Sequence, residues 1–551
     1  MLGRGSSAVF WAGNLGSSHE HRNTVADSNE IREPIARPMR SVPNDTQVDL
    51  FGVASSSPSA QRKPRKVGFH DPDPHDLSIG LQPLSVYLEE IGLSYVFELR
   101  TLLRELDWSA FEDRYELTGR RPYAPAVIVG LILFGIMDGV SSLRGVERLA
   151  RLNVAAMWLT GGICPDHACI GRFIQRHSET LTTTFFEDLT ASILQRMGSK
   201  SHFVAGDGTT IFAAGSRYKT LRIEAAVEAA RVSEDAALAD PEDEGLEREA
   251  ERTRAVADAA EARAEARRAA GLKRETTQVT ATEPDAAVLK TKSRLVAPAY
   301  VASVLANADR VIVGQHVHST SEHAALKPML EQADRLTKNE IETLAVDGSY
   351  ARRPVATWAV ENDLDLLSPP PSRRTAGFSK QDFEYDDKRR GYVCPAGTFL
   401  RRRGRGKDKR RGAEFTNYAV KGSVCQACPL LDKCMPGRKS RRGRTIRRYT
   451  TDPAMDALRT VMKQPGAAER YRKRIVMVEP VFAELKGAQG LTRFRRFGRI
   501  KVAVEFALHA CAYNLRRLRA RLRAAIRAAS VALTAFMGAF WWPRTPSHEI
   551  S

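Results

Sequence analysis

At 551 residues, the chain is long enough for roughly three domains of ~100–200 residues each. Hydrophobic residues make up 43%, enough for buried cores. A formal net charge of +19 (84 Lys+Arg against 65 Asp+Glu) points to a polyanionic partner, nucleic acid before an anionic membrane. The longest apolar runs, Ala124 to Met137 and Ala528 to Trp542, fall short of the ~20 residues of a spanning helix, so a membrane protein is not expected. Arg4 is followed by too short an apolar stretch for a signal peptide. The cysteines are therefore expected in a reducing cytoplasm, where close Cys pairs favour metal over disulfide.

Residues 1–77 are rich in Ser, Pro, Asn and Arg without periodicity and are expected to be disordered. Residues 78–199 read as all-helical. Leu84, Tyr87, Leu88 and Ile91 recur at helical spacing, as do Val96, Leu99, Leu102 and Leu103. Pro122 and Pro125 open an apolar helix, and Asp166 is placed to cap a helix carrying Arg172, Phe173, Arg176 and His177. Short helices with basic faces suit a DNA-binding domain. From residue 200 the character changes. His202–Ala205 and Thr209–Phe212 read as a strand broken by Gly206-Asp207-Gly208, and residues 219–272 as a helical hairpin with a break near Pro241.

Strands at Tyr300–Val304 and Val311–Val317 follow, then a helix at 322–336, a strand at Thr343–Val346, a helix at 353–361 and a strand at Leu364–Leu367. Three strands, helix, strand, helix, strand is the order of an RNase H-like α/β domain. The expected architecture is an RNase H-like catalytic domain over 200–520, interrupted by a helical insertion (219–272) and a Cys/Arg-rich insertion (370–465). An all-α DNA-binding domain (78–199) precedes it and a tail (521–551) follows. In that order the strands ending at Asp207 and Asp347 are neighbours. An Asp-Gly pair alone is a common turn signal. Two of them in this strand order suit carboxylates that hold a pair of hard cations ~3.5–4 Å apart for phosphodiester cleavage.

The stretches Ala205-Gly-Asp-Gly-Thr209, Leu344-Ala-Val-Asp-Gly-Ser-Tyr350 and Tyr471 to Lys486 resemble the three acidic motifs of bacterial insertion-sequence transposases of the DDE type, in the branch with a Tyr–Arg–Glu–Lys signature. Gly490–Phe497, Gly498–Val502 and Ala512–Arg516 resemble that family's closing helix, and the similarity spans about residues 80–520. The resemblance implies that Asp207, Asp347 and Glu479 bind Mg²⁺ or Mn²⁺, and that Lys486 contacts DNA phosphate. Tyr471 and Arg474 would be the signature Tyr and Arg. Four residues separate Arg474 from Glu479 where three are expected, and by helical phase Arg472 faces the same way as Glu479 and Lys486. Pro480 disfavours a helical Glu479, so a helix could instead begin at Pro480. Glu484 is the rival third acid.

Cys425 and Cys428 form a CxxC pair flanked by Cys394 and Cys434, and four such thiolates can close a structural Zn²⁺ site. Cys164, Cys169 and Cys511 look structural. Arg401 to Arg411 holds eight basic residues, among them Arg401, Arg402 and Arg403, and Arg438 to Arg448 forms a second run. Both suit phosphate contact. The expected function is DNA transposition: metal-dependent cleavage at transposon ends, then strand transfer into target DNA, by a nucleoid-associated cytoplasmic protein acting as an oligomer on double-stranded DNA. The rivals are an inactive transposase-derived DNA-binding protein, an RNase H-like nuclease that cuts without joining, and a zinc-dependent regulator.

Overall fold

Five strands position the rest of the chain: β1 (Phe203–Phe212), β2 (Val296–Asn307), β3 (Ile312–His318), β4 (Thr343–Val346) and β5 (Asp365–Leu367). They lie in the order β3-β2-β1-β4-β5. β1, β2 and β3 pair antiparallel, while β4 runs parallel to β1 and β5 parallel to β4. Three short strands, Ala287–Lys290, Gln278–Thr280 and Thr220–Arg222, extend the sheet beyond the first half of β2. The computed structural model describes residues 67–541 apart from 117, 270, 292–294, 321, 371–376, 409–412 and 438–441. The expected disordered segment up to residue 66, and residues 542–551, lie outside the described residues.

β2 is buried over nearly its whole length and β4 over all of it. Continuous apolar runs of this kind belong to a sheet covered on both faces. Helix α1 (Glu322–Thr337) packs on β3 so closely that a Cβ at Gly314 would stand 2.5 Å from the Met329 carbonyl oxygen. β1 corrects the sequence reading. It is not broken at Gly206-Asp207-Gly208 but pairs with β2 continuously from Val204↔Asn307 to Phe212↔Ala299. Gly206 keeps the strand in place rather than ending it, because a Cβ there would lie 2.9 Å from both Leu305 Cδ2 and Val346 Cγ1.

The helical region begins earlier than residue 78 and is not a separate body. His70 bridges to Tyr123, and Asp71 pairs with Arg100 at 2.8 Å. Asp166 caps its helix as expected, accepting from Cys169 N at 2.7 Å. The helices share one continuous core with the sheet. α2 (Arg353–Glu361), α3 (Ala467–Lys486) and α4 (Arg499–Trp541) complete the packing. Buried Asn514 on α4 joins three layers. Its Nδ2 donates to Thr190 Oγ1 (3.1 Å) and to Ile312 O (2.8 Å), and its Oδ1 accepts from Ile312 N (2.8 Å). Asn514→Ala strands these buried groups. It is expected to cost about 3 kcal/mol of stability, read as a lower denaturant midpoint at unchanged slope.

The helical insertion is a hairpin of Ile223–Ala239 and Glu244–Ala269 with its own small core of Ile223, Ala226, Val256, Ala260, Ala264 and Val279. The Cys/Arg-rich segment forms an antiparallel sheet of five strands from Glu384 to Tyr449, packed around Phe383, Tyr392, Leu400, Tyr418 and Ile446. It ends sooner than residue 465, because the helix Asp452–Lys463 buries Met455 and Leu458 in the main core. The expected tail from 521 is a continuation of α4. α3 does not begin at Pro480 but runs through it. The missing N–H would have bonded the carbonyl of Val476, which is 65% exposed, so water can take its place. Among the described residues no helix is long and apolar enough to cross a membrane.

Candidate active site

The register Gly206↔Val346 between β1 and β4 sets the next residue on each chain side by side, and those residues are Asp207 and Asp347. Their local settings differ. Asp347 follows β4 and caps a short 3₁₀ turn, its Oδ1 accepting from Ser349 N at 2.6 Å, while Ser368 Oγ donates to its backbone oxygen at 2.9 Å. Asp207 lies inside β1 rather than at a strand end, with Oδ1 accepting from Gly208 N at 2.9 Å. In both carboxylates a backbone amide holds Oδ1 and Oδ2 is turned toward the same cation. Arg474 Nη1 lies 3.2 Å from Asp207 Oδ2, and Nη2 lies 4.0 Å from Asp347 Oδ2.

Arg474 reaches this point because both ends of α3 are tied to the sheet. Arg470 Nη2 donates to Thr343 Oγ1 (2.8 Å) and Asp365 Oδ2 (2.9 Å), at β4 and β5. Lys486 Nζ donates to Thr209 Oγ1 (2.6 Å) and Thr210 O (3.2 Å), beside Asp207 on β1. The Arg474 side chain is 11% exposed and sits 5.9 Å from the Tyr471 ring centre. Burial opposes its charge, but Asp207, Tyr471 and Asp347 outweigh that and hold its pKa above the ordinary arginine value. Among the described residues its buried Nε and Nη1 meet no well-aligned acceptor, and the ion pairs to the two aspartates hold the guanidinium.

The third acid is placed differently. α3 is unbroken, so phase holds along it. Glu479 and Lys486 share a flank with Arg472, and Arg474 faces the sheet. Arg472 is exposed, and the arginine that lies at the two aspartates is Arg474. Glu479 is exposed. Among the described residues no group of three or more His, Cys, Asp or Glu is drawn together as a metal site. Asp207, Asp347 and Arg474 are thus gathered, and Glu479 is not closed onto them. The rival Glu484 pairs with Arg516 at 2.6 Å, on another side of α3. Sequence reading missed Arg470, Thr209 and Ser349. Of these, only Ser349 had a signal, in the Asp-Gly-Ser stretch that favours a capped turn.

Cys394, Cys425, Cys428 and Cys434 line one small cavity of about 30 Å³. Arg444 N donates to Cys425 Sγ at 3.4 Å, and burial foremost, with the three other thiols, pushes the Cys434 thiol up. The donors suit zinc, and among the described residues they do not stand as a closed group of three or more ligands. Cys511 is buried as expected for a structural thiol, Cys169 is half-buried and Cys164 is exposed.

Arg401, Arg402 and Arg403 stand exposed on the strand Phe399–Lys407, with a bulge between Arg402 and Gly404. In the second basic run three arginines pack on aromatic rings, Arg447 remaining exposed. Arg444, Arg447 and Arg448 lie over the rings of Phe383 (5.3 Å), Phe415 (4.7 Å) and Tyr385 (3.6 Å), packed as part of the small sheet. The remainder of that run, 438–441, lies outside the described residues, as do 409–412 of the first.

Comparison with known families matches residues 393–519 to the family described as Transposase DDE domain, and residues 95–176 to the one described as Transposase domain (DUF772). No curated protein matches the chain. The first match spans the four cysteines, Glu479, Lys486 and the first half of α4; the second covers most of the helical region. Asp207 and Asp347 lie between the two. With both matched domains in one chain, and paired aspartates at the centre of the sheet that lies between them, the protein is a DNA transposase of the DDE type, of the insertion-sequence kind.

Proposed function

We propose that this transposase cuts DNA at the ends of its element and joins the freed 3′-hydroxyl to target DNA, with Asp207, Asp347 and Glu479 as its acids in an RNase H-like domain. The strand order β3-β2-β1-β4-β5, with its three antiparallel and two parallel members, supports that domain. The observation that carries the reading is the pairing of Asp207 and Asp347 across β1 and β4, with both Oδ2 atoms turned to one cation.

Two carboxylate oxygens converging on one positive group are hard donors that fit Mg²⁺ or Mn²⁺. A bound divalent cation supplies Lewis-acid stabilisation of the phosphodiester oxygens. In this arrangement Arg474 balances the charge of the two aspartates, and the bonds to Gly208 N and Ser349 N fix the carboxylate planes. Lys486 is positioned by Thr209 within reach of a DNA phosphate lying over Asp207. Glu479, on the same flank of α3 as Lys486, is the third acid of the set. Arg401, Arg402 and Arg403 offer a second phosphate contact.

The test is nicking of supercoiled plasmid by the full chain with Mg²⁺ or Mn²⁺, followed by a search for joined products. Nicks that require metal and are lost in Glu479→Gln support the proposed triad. Nicks without joined products favour a nuclease that does not transfer strands. Nicking that Glu479→Gln leaves intact removes Glu479 from the site.

A further inference from the structure

α4 carries an arginine-rich face that the active site does not use. Arg516, Arg523 and Arg527 recur at i, i+7 and i+11, one side of a helix, over a rise of ~16 Å at ~1.5 Å per residue. With Arg517 and Arg519 they line a groove of about 360 Å³ whose one acidic wall residue is Glu484. That carboxylate is already matched, because Arg516 Nε donates to it at 2.6 Å.

The base of the groove is anchored. Arg516 Nη1 donates to Met137 O (2.8 Å), and Arg517 Nη2 to Asp309 O (3.1 Å). Arg519 lies 3.5 Å over the Tyr95 ring. Burial first, then the nearby Arg523 and Arg516 charges, lower its pKa. Arg523 and Arg527 are exposed, and among the described residues neither has an acidic partner. Like charges held this close repel one another, and a polyanion laid along them relieves that repulsion. Guanidinium forks match phosphate oxygens in pairs. The lining of the groove contains none of Asp207, Asp347 and Arg474.

We propose that this groove on α4 binds the phosphate backbone of duplex DNA outside the active site. The test uses the full chain and a fluorescein-labelled duplex of arbitrary sequence, with anisotropy read over a salt series. R523A/R527A is expected to bind roughly tenfold more weakly. The slope of log K against log salt should fall by about 1.8, at ~0.9 per lost phosphate contact. R523K/R527K is expected to keep most of the slope. Wild-type slope and affinity in R523A/R527A would overturn the proposal. So would unchanged DNA binding accompanied by lost binding to phosphatidylserine vesicles, or by a change of oligomeric state in sedimentation. The readout needs no cleavage, so it stands or falls separately from the assignment of Asp207, Asp347 and Glu479.

Discussion

Asp347→Ala is expected to lower metal-dependent nicking by at least about three orders of magnitude, roughly 4 kcal/mol of transition-state stabilisation at ~1.36 kcal/mol per tenfold. Asp347 has two jobs at once. Its Oδ1 caps the turn through Ser349 N, and its Oδ2 faces the cation site. Alanine removes both, so Asp347→Asn is the sharper variant. The amide oxygen can still accept from Ser349 N, which keeps the turn and the fold, but the negative charge is gone. The Asn variant should melt near wild type and the Ala variant a few degrees below it, at a cost of about 1 kcal/mol for the lost cap, and both should be inactive. An Asn variant that nicks within about tenfold of wild type would show that the charge of Asp347 is not needed, leaving only its cap.

Arg474→Ala should separate the two things that arginine does. It is the cation that lies between Asp207 and Asp347, at 3.2 and 4.0 Å. With it removed, two neighbouring carboxylates face each other without compensation. A divalent ion then has no competitor for the Oδ2 atoms. Mn²⁺ binding, read by calorimetry without DNA, is expected to tighten by roughly tenfold, about 1.4 kcal/mol. Nicking is expected to fall by about a hundredfold, since the guanidinium no longer orients the pair. Weaker Mn²⁺ binding in Arg474→Ala would mean that Arg474 supports the cation site rather than competing for it.

Much of the central sheet was legible because its signals are local. Thr343–Val346 and Arg353–Glu361 sit where the apolar pattern puts them, and Asp166 caps the helix its spacing predicts. The misreadings have a common cause. Gly206-Asp207-Gly208 reads as a break because glycine and aspartate are turn residues. The strand is held straight by β2, paired from far along the chain, and Gly206 is there to admit Leu305 and Val346. Pro480 reads as a helix start because local rules disfavour helix before proline. Packing of Val478, Val481 and Leu485 on both sides of it carries α3 through.

By itself the sequence determined the basic character of the protein, the order of its central strands and helices, and the two aspartates that end up adjacent. Those properties depend on composition, periodicity and position along the chain. Only the tertiary structure decided that Arg474 lies between Asp207 and Asp347, that Glu484 belongs to the α4 groove, and that the helical region shares a core with the sheet. Each of these depends on contacts between segments more than a hundred residues apart or on the rotation of one helix about its axis. Such contacts follow from how the whole chain packs, and no short stretch of sequence encodes them.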